Sequence, residues 1–263
     1  MSKLYDFMMD FVKKMQESPL GSSFLFSLGQ AGYVLKSKTG KLLGIDLYLS
    51  DYTEHDEGHV GFKRLLPKIL GPKDVVFDYL IATHEHSDHY DYGSMAELMD
   101  NCHTELFSSV DCERPSISLG LDQKRIYYVK PGDRFEKDDF KLSFINCDHG
   151  TGSMDAVGVI VEMDGYRILE VGDTCLRLDR KDEYLSRGKI DILIAPINGV
   201  YGNLSEEECA LLSKALAPGI TIPCHYGMFA SHFGSPGLFI NKMKEICPDN
   251  QFAIMTQGEM MKL

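Results

Sequence analysis

The sequence lacks the features that mark several common protein classes. Its seven cysteines form no C-x-x-C pair and are odd in number, which favours free thiols in a reducing compartment over a disulfide framework or a thiolate zinc knuckle. No apolar segment is long enough to cross a bilayer. The net charge is −12 and no long cluster of lysine and arginine offsets it, so binding to bulk nucleic acid is disfavoured. We therefore expect a cytoplasmic protein without a membrane partner or a large nucleic-acid partner.

No Pro/Gly-rich linker divides the chain, whose 263 residues suit one large domain or two small ones. Residues 1–22 are predicted to hold an amphipathic helix, because apolar residues recur at helical spacing with charges between them: Leu4, Phe7, Met8, Phe11 and Met15. The helix is not basic, so packing on the domain or on a partner subunit in a homo-oligomer is favoured over binding to a membrane surface. Residues 23–263 are predicted to form a single domain.

Each half of the chain contains strand patterns first and helical patterns after them. Residues 75–83 form a nearly continuous apolar run, and the strands at 156–163 and 166–171 flank the hairpin signal Asp164-Gly165. Helices are predicted at 62–70, at 205–216 after a capping box, and at 238–246, with a last strand at 251–256. Two such halves sharing one core predict an α/β fold with two sheets face to face and helices outside.

The segment IATHEHSDHYD, from Ile81 to Asp91, places ligand-type side chains directly after a predicted buried strand. On a strand, His84 and His86 project from one face, and a turn could bring Asp88 and His89 to the same point. Neutral imidazole and carboxylate are ligands for Zn²⁺, Mn²⁺ or Fe²⁺, and two metals could share such a set. The alternative interpretation is a solvated polar loop.

Four residues cannot complete two metal sites, and three more candidates lie at or just beyond the ends of other apolar strands. His149 ends FINCDH, Asp173 lies in ILEVGDT, and His225 follows GITIPC. Taken singly, they could be a loop residue, a turn former and a core histidine. Three cysteines lie within two residues of these candidates and are predicted to be small buried side chains on strands: Cys147, Cys175 and Cys224.

The order H-x-H-x-D-H, a single His, G-D-T and a single His resembles the metallo-β-lactamase superfamily. Within it, the chain is similar to the L-ascorbate-6-phosphate lactonase family, through SLGQAGYVLKS followed by Asp46, and through THEHSDHYD, VKPGD and EVGDT. This resemblance implies an αββα four-layer sandwich of two facing mixed sheets with helices outside. It also implies a ligand set of His84, His86 and His149 for one metal and of Asp88, His89 and His225 for the second, with Asp173 bridging. Asp46 would orient a ligand histidine through its far ring nitrogen.

The resemblance further implies a binuclear metal-dependent hydrolase. Two divalent cations lower the pKa of a bridging water to about neutral, so that a metal-bridging hydroxide can attack a carbonyl or phosphoryl centre. Asp88 is then the expected proton acceptor, and Asp173 the shared carboxylate. The lactonase resemblance implies manganese, whereas the wider superfamily and the imidazole-rich ligand set imply zinc.

The expected substrate is a small, anionic molecule, a phosphorylated sugar lactone or a related ester. Arg177 could hold a sugar phosphate, because guanidinium suits that geometry. Tyr226 and His232 are further candidate contacts, with His232 as a leaving-group acid, and other loop candidates are His55, His59, Arg180 and Tyr201. Three alternatives remain open: a phosphodiesterase acting on small nucleotides or RNA, although the net charge disfavours RNA; a glyoxalase II-like thioesterase; and a non-catalytic binding protein on the same fold.

Overall fold

The computed structural model describes residues 2–56, 61–150 and 152–263, with the backbone alone for residues 2–9. The chain divides into two compact units. The first contains Met1–Tyr128, Met228–Ser231 and Thr256–Leu263, and the second contains Val129–Gly227 and His232–Met255. Within the described ranges, none of the helices has the length and apolar character that a bilayer crossing requires.

The first unit is built on a mixed sheet of seven strands. With strands numbered in chain order, these are β1 (Phe24–Gly29), β2 (Gly32–Lys36), β3 (Leu42–Ile45), β4 (Tyr79–Ala82), β5 (Glu105–Ser109), β6 (Ile126–Val129) and β13 (Met260–Lys262). The order across the sheet is β13-β1-β2-β3-β4-β5-β6. Strand β4 is buried throughout and pairs in parallel with both β3 and β5. The histidine-rich segment therefore follows the carboxyl end of a central parallel strand, where α/β sheets commonly bind ligands.

Among its described residues, this unit contains the helices α1 (Ser2–Glu17), α2 (Tyr52–Asp56), α3 (Met95–Leu98) and α4 (Glu113–Ser118). The predicted N-terminal helix is thus present as α1. Its Phe11 ring meets the buried Phe26 ring edge-on at 6.2 Å. The Lys36 ammonium is buried and donates to three carbonyl oxygens at the end of the helix, those of Met15 at 2.8 Å, Gln16 at 3.0 Å and Ser18 at 2.9 Å. These bonds satisfy carbonyls that a helix end leaves without intrahelical partners.

The second unit is built on a mixed sheet of six strands. They are β7 (Arg134–Lys137), β8 (Phe140–Asn146), β9 (Val157–Met163), β10 (Tyr166–Glu170), β11 (Ile192–Pro196) and β12 (Ile220–Cys224), in the order β12-β11-β10-β9-β8-β7. Strands β10, β11 and β12 are parallel to one another, and the other pairs are antiparallel. The helices of this unit are α5 (Lys181–Tyr184), α6 (Glu206–Leu216) and α7 (Pro236–Ile246). Short 3₁₀ helices occur at Val110–Cys112, Gln123–Arg125 and Leu178–Arg180.

The predicted α/β class, with two mixed sheets and helices, is confirmed. Two local signals are also confirmed. Strands β9 and β10 pair through Tyr166 and Met163 on either side of the Asp164-Gly165 turn. Helix α6 begins at a capping box, in which Ser205 accepts from the Glu208 backbone nitrogen and the Glu208 side chain accepts from Ser205.

Three segments differ from the sequence-based expectation. The prediction of a helix at 62–70 is wrong. This segment contains Pro67, and its backbone bonds instead to residues 228–230, with Leu65 N donating to Met228 O at 2.7 Å. The strand predicted at 75–83 is confined to β4, and Val76 is 57% exposed. The strand predicted at 251–256 is reduced to a single bridge between Phe252 and Thr221.

Candidate metal centre

The H-x-H-x-D-H segment forms a compact cluster directly after β4. His84 Nε2 lies 3.0 Å from His86 Nδ1, and the ring centroids of His84 and His89 are 4.1 Å apart. A tight turn returns the chain, since the backbone nitrogen of His89 donates to the His86 carbonyl at 2.9 Å. This is the turn that the sequence predicted would bring Asp88 and His89 back to the first two histidines. His86 is half-buried, and the other three side chains are buried.

Asp46 contacts the far side of His89 directly and that of His84 through the hydroxyl of Thr83. Its carboxylate is fully buried and accepts from His89 Nδ1 at 2.7 Å, from Thr83 Oγ1 at 2.7 Å and from Thr83 N at 2.8 Å. Because the Thr83 hydroxyl donates to Asp46, its oxygen can accept from His84 Nδ1, which lies 3.0 Å away. Both histidines then present an unprotonated Nε2, which is the form that binds a metal. Asp46 therefore lies where the family resemblance implies, and its orienting role stays a prediction.

Asp88 has a hydrogen-bond donor that the sequence did not reveal. Gln30 Nε2 donates to Asp88 Oδ2 at 2.8 Å, and the same oxygen lies 3.7 Å from His89 Nε2. Gln30 is buried in the turn between β1 and β2 and has a positive φ of 52°. The segment SLGQAG was a landmark of the family resemblance, but one polar residue in a turn carries no pattern that would assign it a role.

In the second unit, the three predicted ligands lie beyond the carboxyl ends of β8, β10 and β12, and two imidazoles point to one carboxylate oxygen. His225 Nε2 lies 3.0 Å from Asp173 Oδ2, and His149 Nε2 lies 3.9 Å from it. All three side chains are buried. Asn203 Nδ2 also donates to Asp173 Oδ2 at 2.8 Å, and this residue was missed by the sequence reasoning. A carboxylate oxygen approached by two imidazoles is well placed to share a metal with them.

His232 lies beside this group. Its ring stacks on the His225 ring with centroids 4.8 Å apart and an interplanar angle of 25°, and the Tyr201 ring lies 5.4 Å from it on the chain between β11 and α6. Two residues after His232, the chain passes close to Tyr226, and this position requires Gly234. An added Cβ there would come within 2.9 Å of the Tyr226 Cβ, and φ is +89°. The predicted substrate contact His232 is thus held directly against the candidate ligand His225.

Arg177 and Tyr226, also predicted to contact the substrate, have partners within the protein. Arg177 pairs with Asp148 at 2.8 Å and with Asp179 at 2.6 Å, and these carboxylates, Asp179 foremost, raise the pKa of the guanidinium. The Tyr226 hydroxyl donates to the Met255 carbonyl at 3.0 Å. His59 lies outside the described residues, and the substrate roles of all these side chains stay predictions.

The cysteines near the ligands are not part of the donor set. Cys147 and Cys224 are buried, as predicted, whereas Cys175 is exposed, so that prediction was wrong for Cys175. Cys147 Sγ donates to the Asp173 carbonyl at 2.9 Å. Burial, followed by the charges of nearby carboxylates, raises the pKa of Cys147 well above its usual value, so it stays a neutral thiol. All seven cysteines are free, in agreement with the sequence.

The seven predicted ligands fit divalent metal ions. Each belongs to a group of three histidine or aspartate side chains whose ligand atoms all lie within 4.8 Å of one another. Two donors bound to one metal at about 2.1 Å each lie no more than about 4.2 Å apart. Four pairs meet this limit at 3.0, 3.7, 3.9 and 3.0 Å, namely His84 with His86, Asp88 with His89, His149 with Asp173, and His225 with Asp173.

Comparison with known proteins identifies the family. The profile of the beta-lactamase superfamily domain matches residues 25–225. The chain belongs to the metallo-β-lactamase superfamily. A UPF0173 metal-dependent hydrolase of Polynucleobacter asymbioticus is 26% identical over 262 residues, covering 91% of this chain and 86% of the relative. A relative from Staphylococcus carnosus, 24% identical over 204 residues and covering 73% of this chain and 85% of the relative, is likewise named a metal-dependent hydrolase.

Solved structures agree with this metallo-β-lactamase assignment at the level of the fold. A metallo hydrolase of Ignicoccus hospitalis has a TM-score of 0.71 and 21% identity, covering 92% of this chain and 98% of that one. A metallo-β-lactamase fold protein of Bacillus subtilis has a TM-score of 0.69 and 15% identity, covering 92% of this chain and 100% of that one. These likenesses support the fold and leave the lactonase branch a prediction.

Proposed function

We propose that this metallo-β-lactamase superfamily protein is a binuclear hydrolase of a small ester, with a phosphorylated sugar lactone as the favoured substrate. The observation that carries the proposal is that all seven predicted ligands belong to groups of His and Asp whose donor atoms lie within 4.8 Å of one another. Divalent metals bound there, as Zn²⁺ or Mn²⁺, would supply Lewis acidity and a water of lowered pKa. A non-catalytic binding protein would not need a complete donor set.

In this proposal, the ligands divide as the family resemblance implies. His84, His86 and His149 would hold one metal, Asp88, His89 and His225 would hold the other, and Asp173 would be a ligand shared by both. The proposal is supported by the way the ligands are held: Asp46 accepts from His89, and Asn203 donates to Asp173. Partners of this kind fix the orientation of a ligand before the metal arrives.

The side chains of the protein handle the protons. Gln30 donates to Asp88 Oδ2, which fixes the carboxylate in one orientation. Asp88 in this orientation serves as the proton acceptor during attack. His232, stacked on His225, is the donor to the leaving group, because an imidazole ring carries an N–H that can donate to an oxygen. Tyr226 is proposed to shape this wall of the substrate site, since its hydroxyl already donates to Met255.

A small anionic substrate is favoured over a polymer. The net charge of −12 repels long polyanions, whereas metals and one arginine suffice for a single phosphate. Arg177 is the proposed phosphate contact. The substrate phosphate would replace Asp179, whose side chain is 63% exposed beside the half-buried Arg177.

A hydrolysis panel tests this function with the full-length protein. A phosphorylated sugar lactone, an acyl-glutathione thioester and a bis-nitrophenyl phosphodiester are offered to the protein loaded with Zn²⁺ or Mn²⁺. We expect lactone hydrolysis that a chelator abolishes, that His86→Ala abolishes, and that the matched variant of the exposed His103, His103→Ala, preserves. Preference for the thioester or the phosphodiester would replace the substrate assignment, and hydrolysis that survives metal removal would overturn the proposal.

A further inference from the structure

Hydrogen bonds of ordinary length join the two loops of the second unit that carry His149 and Asp173. Asp148 precedes His149 directly, and its backbone nitrogen donates to Thr174 Oγ1 at 3.0 Å. In the opposite direction, the backbone nitrogen of Cys175 donates to the Asp148 carbonyl at 3.1 Å. The residue before one candidate ligand is thus bonded to the two residues that follow the other.

The Asp148 carboxylate adds two arginines to this connection. Arg177 Nη1 lies 2.8 Å from its Oδ2, and Arg180 Nη2 lies 2.9 Å from Oδ2 and 3.0 Å from Oδ1. These arginines follow Asp173 by four and seven residues in the chain. Arg180 Nη2 donates a directional, charge-assisted hydrogen bond to Asp148 Oδ1, and both guanidinium groups attract Oδ2 as ion pairs. They therefore resist both separation and sliding of the two loops.

A second carboxylate supports the same arrangement from the end of β8. Glu183 Oε1 accepts from the backbone nitrogen and from Nδ2 of Asn146, each at 2.8 Å. Glu183 Oε2 also lies 3.7 Å from Arg180 Nη1. The strand that leads to His149 is thereby fixed to the 3₁₀ turn and helix α5 that follow Asp173.

We propose that Asp148 is a positioning residue: held by Arg177 and Arg180, it sets the separation of His149 and Asp173 and so the affinity of the site for a divalent metal. The inference rests on the proposed function, because it presupposes that both side chains bind metal. The His149 Nε2 to Asp173 Oδ2 distance of 3.9 Å is near the upper limit for two donors on one ion, so a small loop displacement would take it beyond that limit. Arg177 then contributes to the site even before a substrate binds.

The decisive variant is Asp148→Asn, which keeps the size of the side chain and removes its charge. Titration calorimetry of the metal-free full-length chain with Zn²⁺ and with Mn²⁺ measures the affinity. We expect binding to weaken by about 10-fold or more, the usual effect of losing a residue that orients a ligand. The absorption spectrum of the Co²⁺-loaded protein should also change, which a role in folding alone would not produce.

Glu162→Gln is the matched control. Glu162 also pairs one carboxylate with two arginines, Arg187 Nε at 3.1 Å and Arg167 Nη2 at 3.3 Å. Glu162 lies on β9, five residues beyond Val157, which corresponds to about 17 Å along the strand. Val157 pairs with the end of β8 that leads to His149, so Glu162 is far from that ligand. The control should bind metal as the wild type does and should lower the melting temperature of the metal-free protein as much as Asp148→Asn does.

The outcomes separate this inference from the proposed function. If Asp148→Asn binds both metals like the wild type, or if Glu162→Gln weakens binding equally, the positioning role is wrong while the metal site stands. If the wild type itself binds neither metal, both proposals fail. Should Asp148→Asn not fold, Arg180→Lys takes its place, because lysine keeps the charge and loses the two-oxygen contact; unchanged metal affinity in that variant would likewise overturn the role.

Discussion

Replacing Asp46 by asparagine tests how far one buried carboxylate prepares the histidines for a metal. In the native protein, His89 Nδ1 donates its proton to Asp46 Oδ2 at 2.7 Å, which leaves Nε2 unprotonated. An asparagine that keeps its oxygen toward the Thr83 backbone nitrogen places an NH₂ group where Oδ2 was, against both His89 and the Thr83 hydroxyl. The imidazole must then accept at Nδ1 and carry its proton on Nε2, and in this tautomer Nε2 is not a metal ligand.

The expected losses of metal affinity and of stability follow from the contacts that Asp46→Asn changes. Loss of an orienting carboxylate weakens metal binding by about 10–100-fold, which corresponds to about 1.4–2.7 kcal/mol. The metal-free protein is destabilised too, because hydrogen bonds to a charged, fully buried group contribute about 1.5–3 kcal/mol each. Asp46 accepts three of them, at 2.7, 2.7 and 2.8 Å, and the variant disturbs the two that Oδ2 accepts, from His89 and from the Thr83 hydroxyl. We expect a loss of about 3 kcal/mol in the free energy of unfolding.

Asp91→Asn provides the matched control in the same unit. Asp91 is equally buried and accepts from the backbone nitrogens of Leu49 and Ser50, each at 2.8 Å, without contacting a candidate ligand in the bonds described. Calorimetric titration with Zn²⁺ and urea unfolding of the metal-free protein give the two energies. Both variants should lose stability, and only Asp46→Asn should lose metal affinity. Equal metal affinity in the two variants would refute the orienting role.

Three further predictions follow from buried groups. Gln30→Met should weaken metal binding several-fold in the same titration, because it removes the donor to Asp88 Oδ2, and an unchanged affinity would contradict this. A thiol reagent should label Cys102 and Cys175 in the folded protein and all seven cysteines after unfolding; labelling of Cys147 in the native state would count against its buried position. Burial raises the pKa of Cys112, Cys147 and Cys209 above the unfolded value of 9.0, so the stability they contribute is complete below that pH and is lost as the pH rises past it. Urea unfolding on either side of this pH should show a fall of up to about 1.4 kcal/mol per pH unit for each thiol, and constant stability would disagree.

Much of the candidate site could be predicted because its chemistry is concentrated in short sequence patterns. His84, His86, Asp88 and His89 lie within six residues, and their residue types alone indicate metal binding. Asp46 could be assigned only through the family resemblance, since a single aspartate after a strand has many ordinary roles. The structure supplies its physical role, the hydrogen bond to His89.

The rest depends on contacts between residues far apart in the chain. Gln30 and Asp88 are separated by 58 positions, and Asn203 and Asp173 by 30, so no local periodicity links them. The prediction of a helix at 62–70 was wrong for a related reason. Backbone hydrogen bonds to residues 228–230, which are distant in the sequence, replace the local bonds of a helix. Arg177 was predicted to face a substrate, but its residue type could not show that Asp148 lies 2.8 Å away.

The central claim is that the seven ligand side chains bind a pair of metal ions, and crystals grown with Zn²⁺ or Mn²⁺ test it most directly. Anomalous difference maps at the absorption edge of each metal locate the ions independently of any assumed ligand. The account predicts two peaks, each about 2.0–2.2 Å from imidazole nitrogens and carboxylate oxygens of this set, with Asp173 contacting both. Peaks coordinated by other residues, or no peak beside His84 and His225, would contradict it.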